Sequence, residues 1–299
     1  YRIIFKSIAW PDYAMFWIFT VIKNKSKIPK DFDIIISVSL PFTSHVCASI
    51  LKKSMSSKWF MDIGDPFSLK DKSFENNRYL YSFFNFYCEK KYFRTADKVI
   101  FTHEEASELH MKKFKIPKSK LVIGHPISII NPHFIDSSYK FRYINLPIKI
   151  GYFGIFTDGV RDPYNYLNTV ASSLKDNIHH YWYIKDESIK YFSSFKNLNT
   201  HVFKTMIPRE DALREMINNF HILLSIGNKN KYQLPSKVIE YISLGKPVLH
   251  YAEILSDPMY KFETLFDNLK IIDKNTKEKD LLEFLKIFQS NQFEFNYKE

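Results

Sequence analysis

The sequence predicts an α/β protein made of two Rossmann-like domains, each built on a parallel sheet. Three observations lead there. Short β-branched runs alternate with longer helical stretches along nearly the whole chain. Most of those runs are apolar on both faces, as strands covered by helices on each side should be. One polar, aromatic stretch, 131–147, interrupts the alternation between Pro132 and Pro147, and reads as a linker. The expected domains are 1–143 and 144–299.

Composition agrees. The chain has 299 residues, enough for two ordinary domains. Hydrophobic residues make up 45% and charged residues 25%, which excludes a disordered chain. Only 7 glycines are present, so each one carries more information than usual.

The elements follow in order. An apolar run from Tyr13 to Ile22 lies between Trp10-Pro11-Asp12 and Lys23-Asn24-Lys25. It is shorter than the ~20 residues a bilayer span needs. It reads as a buried helix, with an interfacial membrane helix as the sharper alternative. The strand runs are 33–38, 98–102, 121–124, 148–153, 181–184, 201–203, 221–226, 247–251 and 269–272. A helix should open at Thr102, capped by its hydroxyl with Glu105 reaching back. Another should run from Pro208 to Asn219, with proline and acids at its start. A last amphipathic helix is expected over 279–289, with Leu282, Leu285 and Phe288 on one face. The first convincing strand is 33–38, so the first strand and loop of a doubly wound domain are expected to be absent from this sequence.

The formal net charge of +11 admits nucleic acid, an anionic membrane or a phosphorylated ligand as partner, or simple solubility. No zinc-finger spacing, RNP-type motif or basic arm is present, so nucleic acid is not expected. Cys47 and Cys88 stand in no CxxC or metal-ligand spacing and read as free thiols of a reducing compartment. No signal-peptide pattern is visible.

The segment from Leu234 to Val248, LPSKVIEYISLGKPV, carries the chemistry. Pro235 and Ser236 should open a helix at the carboxyl end of the 221–226 strand, where Ser236 can cap orphan amides. Gly245 should end the helix and Pro247 stop it. A helix N-terminus in that place is an anion site. Glu240 lies one turn from Ser236 on the same face. A carboxylate there can accept from a ribose diol while amides near Ser236 and Lys237 face phosphate. An ordinary capped helix with a solvent-facing glutamate would share this spacing.

This segment resembles the donor-binding stretch of GT-B glycosyltransferases, especially the family-4-like group of bacterial surface-polysaccharide enzymes. Those read P-S-K-x-x-E-Y-x-x-x-G-K-P-V, matched here by Pro235, Ser236, Lys237, Glu240, Tyr241, Gly245, Lys246, Pro247 and Val248. The resemblance implies that Glu240 binds the nucleotide ribose. Many members carry a further glutamate eight positions earlier, where this chain has Tyr232. That departure leaves open the sugar contacts, and retention as against inversion at the anomeric carbon.

Three more stretches are similar to the same group. IKIGYFGIFTDGVR, 148–161, resembles its first C-terminal-domain strand and loop; Gly154 would let backbone approach the diphosphate and Arg161 would hold the phosphates. DIIISVSLPFTSHVCASILKK, 33–53, resembles an N-terminal-domain strand, turn and helix; His45 would touch donor sugar or acceptor. WFMDIGDPF, 59–67, resembles W-x-x-D-x-R-D-P-W, with Gly64 replacing the Arg and Phe67 the last Trp; Asp65 would orient the acceptor or act as base. His45 and Asp65 could equally be structural, at a helix start and a turn.

The resemblance implies glycosyl transfer from a nucleoside-diphosphate sugar to a hydroxyl of a glycan or lipid-linked glycan, in a cleft between the domains. It implies no cofactor and no metal. Location is expected in the cytoplasm, with docking on the inner face of the membrane as an option. The alternatives are a sugar-nucleotide epimerase on the same fold and a non-catalytic binder of nucleotide or glycan.

Overall fold

The computed structural model describes residues 8–70, 75–126, 147–171, 178–195, 198–277, 279–281, 283 and 284. The chain divides into two compact units, 1–125 and 126–299. The expected linker, and the expected boundary at 143, lie outside the described residues. So does the expected last helix beyond residue 284.

The first unit holds four parallel strands in sequential order: β1 (Ile34–Ser39), β2 (Lys58–Ile63), β3 (Lys98–Phe101) and β4 (Leu121–Ile123). Helices α1 (Phe16–Asn24), α2 (Thr43–Lys52), α3 (Arg78–Thr95) and α4 (Glu104–Phe114) accompany them. Trp59, Met61, Val99 and Phe101 point into a core closed by Phe42, Phe93 and Phe114, all almost completely buried. Each such side chain contributes about 1.5–3 kcal/mol by leaving water. Cys47 and Cys88 are buried free thiols.

β1 lies at the edge of its sheet. Ile34, Ile36 and Val38, alternate residues that share one face, are exposed by 46%, 65% and 51%. A groove of about 590 Å³ runs beside the strand, lined among others by Trp17 and Val21 of α1 and by Cys47 and Leu51 of α2.

The second unit holds six parallel strands: β5 (Ile148–Phe153), β6 (Ile178–Ile184), β7 (His201–Thr205), β8 (Ile222–Ile226), β9 (Val248–Tyr251) and β10 (Leu269–Ile272). Their spatial order is β10-β9-β8-β5-β6-β7. β8 and β9 are buried at every position, as a doubly covered parallel sheet requires. Ile150, Tyr152, Ile222 and Leu224 face one core, and Phe153, Leu223 and Val248 face the other. The chain winds one way from β5 and the opposite way from β8. The two strands are neighbours, with Tyr152 opposite Leu224. Their carboxyl ends therefore form a topological switch point, where sheets of this kind bind ligands. Helices α5 (Arg209–Asn219) and α6 (Ser236–Ser243) flank β8 in sequence.

Three expectations are corrected. The 13–22 run is not a buried helix: α1 has no buried residue, because only one side of it meets the unit and the other faces solvent. Thr102 does not cap α4; its hydroxyl lies 2.8 Å from His103 Nδ1, and His103 takes the cap position. Ser236 does not cap α6 either, since Pro235 holds that position and has no side-chain acceptor for the first turn. The α6 ending is as expected: Gly245 follows it at φ 69°, a left-handed conformation that favours glycine.

Candidate donor site

The site in the second unit is built from two loops at the switch point. After β5, residues Thr157 to Arg161 form a tight turn in which Thr157 and Arg161 exchange backbone hydrogen bonds of 2.9 Å. Gly159, at φ 71°, supplies the left-handed residue that such a turn needs. The turn aims Arg161 at the loop after β8, where its Nε and Nη2 donate to Asn228 Oδ1 at 3.1 and 2.7 Å. Lys229 N donates to Val160 O at 2.8 Å, and the Lys229 ammonium pairs with Asp162. The β8 loop is closed on itself, since Asn228 Nδ2 donates to Gln233 O at 2.8 Å and Tyr232 N to Asn230 Oδ1 at 3.0 Å.

That loop delivers the chain to α6. Lys237 stands in the first turn and Glu240 one turn on. Arg209, from the start of α5, grips Glu240 Oε1 with Nε at 2.9 Å and an Nη at 2.6 Å. The Glu240 side chain is only 16% exposed. Burial pushes the Lys237 ammonium below its ordinary pKa; Glu240 opposes that shift, and Arg161 and Arg209 add to it. Arg209 thus grips Glu240, and Arg161 and Arg209 both act on Lys237 in the first turn of α6, so cations outnumber the one carboxylate there. The excess positive charge is an arrangement that an anion relieves.

The pair that closes the loop from below is also polar. Gly227 N donates to Tyr251 O at 2.8 Å. Behind it, His250 Nε2 lies 3.3 Å from Asp257 Oδ2 and His250 Nδ1 lies 3.1 Å from Ser225 Oγ, all three side chains buried.

The sequence-predicted residues fare unequally. Arg161, Lys237 and Glu240 come together, with Ser236 exposed beside them in the first turn of α6. Gly154 is buried, its N–H donates to Tyr183 O at 3.2 Å, and an added Cβ would sit 2.8 Å from Tyr152 Oη. The glycine makes room for that ring, and its amide is already engaged. Tyr232 is half-buried in the closed β8 loop.

In the first unit, His45 is 0% exposed. Its Nδ1 shares a 2.7 Å hydrogen bond with Ser37 Oγ, which also accepts from Trp59 Nε1 at 2.8 Å. Burial lowers its pKa to about 3, so the ring stays neutral. The expected contact of His45 with donor sugar or acceptor does not fit that burial: the third residue of α2 points into the core. Asp65 is half-buried in the loop after β2, just beyond Gly64, whose Cβ would lie 3.0 Å from Ser39 O. Arg209 is the residue that sequence reasoning missed. It is 31 positions from Glu240, and no local spacing signals their pairing.

No protein-family model matches this chain, and no curated protein matches it. Solved structures do. Sucrose-phosphate synthase from Thermosynechococcus elongatus aligns with a TM-score of 0.64 at 12% identity, over 92% of this chain and 68% of that one. A glycosyltransferase from Rickettsia africae aligns with 0.64 at 12% identity, over 95% and 76%. The lipopolysaccharide outer core galactosyltransferase WaaB, in its apo form, aligns with 0.55 at 13% identity, over 95% and 72%. Two parallel Rossmann-like sheets and alignment over almost its whole length with these glycosyltransferases show that the chain carries the GT-B fold.

Proposed function

We propose that the chain is a glycosyltransferase that takes a sugar from a nucleoside-diphosphate donor and gives it to a hydroxyl of a glycan or lipid-linked glycan. One observation carries the reading: Arg209 holds Glu240 in α6, beside the switch point, while Arg161 and Arg209 act on Lys237 in the first turn of that helix. In the proposed complex Glu240 accepts from the ribose diol, and the cations with the first amides of α6 face the diphosphate. When the glycosidic bond breaks, the departing nucleotide gains negative charge. Positive groups fixed beforehand stabilise that charge without reorganising. Asn228 serves by holding the Arg161 fork still. Asp65 is retained as the candidate base or acceptor-orienting carboxylate. No cofactor or metal enters the proposal. The acceptor reading goes with action at the cytoplasmic face of the cell membrane.

The test is a thermal-shift screen of UDP, GDP, ADP, CMP and their sugars, followed by calorimetry. A ligand at ~100 times its Kd stabilises a protein by roughly 2.7 kcal/mol, which such a screen detects. A failure of every nucleotide to bind would refute the reading. A second reading rests on Tyr232, which stands where the resembled group has a carboxylate: the chain binds the nucleotide without transferring sugar. Nucleotide binding with neither turnover on a panel of lipid-linked acceptors nor donor hydrolysis would favour it.

A further inference from the structure

Half of the large apolar side chains exposed among the described residues, 11 of 22, lie in two short segments of the first unit. Ile8, Tyr13, Phe16, Trp17, Phe19 and Ile22 form one group; Tyr79, Leu80, Phe83, Phe84 and Tyr87 form the other. The segments adjoin. Tyr81 Oη donates to Ile8 O at 3.0 Å, the Trp10 ring lies 4.5 Å from that of Phe84, and Asn76 Nδ2 donates to Pro11 O at 2.8 Å. They form one apolar surface around the root of α1 and the start of α3.

The surface is fixed. Asp12, 0% exposed, accepts from Thr43 N at 2.9 Å, Thr43 Oγ1 at 2.7 Å and Ala14 N at 2.9 Å. α1 is thus pinned to the start of α2 while Phe16 and Phe19 remain 59% and 64% exposed. A monomeric soluble protein seldom shows such a patch without a partner.

Charge identifies the partner. From 13 to 30 there is no acidic residue, and Lys23, Lys25, Lys27 and Lys30 follow the aromatic stretch, all exposed. From 78 to 88 there is again no acid, and Arg78 opens α3. Aromatic side chains beside a lysine cluster match a bilayer with anionic headgroups, where rings enter the interface and lysines meet phosphate. α1 is too short to cross, and no described helix is long and apolar enough to do so.

We infer that Phe16, Trp17 and Phe19, with Lys23, Lys25 and Lys27, dock this chain on an anionic lipid surface. This goes beyond the transfer reaction and does not depend on it, since docking is read without donor or acceptor. The full chain is sedimented with vesicles of equimolar phosphatidylglycerol and phosphatidylcholine, and with pure phosphatidylcholine. Binding is expected on the anionic vesicles, with a blue shift from Trp17. Trp59 and Trp182 are fully buried and Trp10 is half-buried against Phe84, so Trp17 is the main reporter, and Trp17→Phe should remove most of the shift. Replacing Lys23, Lys25 and Lys27 by Gln should weaken binding about fivefold per lysine, roughly a hundredfold together. The triple variant Phe16→Ser, Trp17→Ser, Phe19→Ser should lose binding while keeping the far-ultraviolet circular dichroism of the parent. If that variant misfolds, the lysine variant still decides. Absence of binding to anionic vesicles, equal binding to both vesicles, or a concentration-dependent dimer that the aromatic variant abolishes would each overturn the inference, the last by assigning the surface to a second copy.

Discussion

Replacing Lys246 with Met should stabilise the second unit, and the gain should shrink as pH rises. Lys246 is 2% exposed just beyond the end of α6, and its ammonium donates to Phe220 O at 3.0 Å. Burial lowers its pKa to about 7 from 10.5. The folded state then holds the proton less tightly than the unfolded state. Between those values the unfolded chain carries the extra proton, so wild-type stability rises with pH. Below the folded value both states are charged and the full cost of burying the ammonium remains. That cost is a few kcal/mol, at about 1.4 kcal/mol for each pH unit that separates the folded and unfolded values. Methionine has similar length and no charge. The stability difference between variant and wild type should fall by roughly 2 kcal/mol between about pH 7 and about pH 9, because the slope approaches 1.4 kcal/mol per pH unit in that range. Urea unfolding followed at Trp182 measures it, since that residue is buried in the same unit. A difference that stays constant over the pH range would refute the lowering of the Lys246 pKa by burial.

Three other outcomes follow from the same geometry. Glu240→Ala should weaken nucleotide binding by at least two orders of magnitude, since hydrogen bonds to a charged group are worth ~1.5–3 kcal/mol each; calorimetry that shows unchanged affinity would remove Glu240 from the site. Gly227→Ala should destabilise the second unit by roughly 1–3 kcal/mol, because the new Cβ would fall 2.3 Å from Asp257 Oδ2, which His250 holds; denaturant melts check this. Glu89 is 0% exposed, and burial raises its pKa to about 7 despite the hydrogen bonds from Ser68. Its folded value lies above the unfolded 4.5, so wild-type stability falls as pH rises through that interval; Glu89→Gln should gain a few kcal/mol at neutral pH and lose the advantage near pH 4.5, as measured by melts of the two proteins side by side.

The second unit is the more legible in sequence. β5 and β10 begin and end where their runs do, and β8 and β9 start one residue later, because doubly buried strands are written as continuous apolar runs. β6 starts earlier than expected, at Ile178, since His179 and His180 hide the pattern. β2, KWFMDI, escapes the strand pattern, because aromatic and Met residues stand where β-branched ones give the signal. In the site, Gly245 follows from helix chemistry, whereas Lys237 and Glu240 are singled out by the resemblance of one segment, since an ordinary capped helix shares their spacing. Arg209 does not, since it reaches Glu240 from another helix. His45 shows the opposite limit: position at a strand end and helix start is readable, but packing against Ser37 and Trp59 decides that its ring faces inward. α1 departs from expectation for the same reason, because an apolar run tells what a helix can bury and not whether the fold covers it.

The aromatic and lysine surface around α1 also sets how the chain behaves in a tube. Its copies carry a net charge of +11, and that repulsion keeps their apolar faces apart at low ionic strength. Salt at ~0.1 M shortens the range of the repulsion to about 10 Å, while sulfate strengthens apolar attraction. Added salt should therefore raise non-specific aggregation, as distinct from a defined dimer. A mild detergent that coats the exposed Phe16 and Phe19 should counter it.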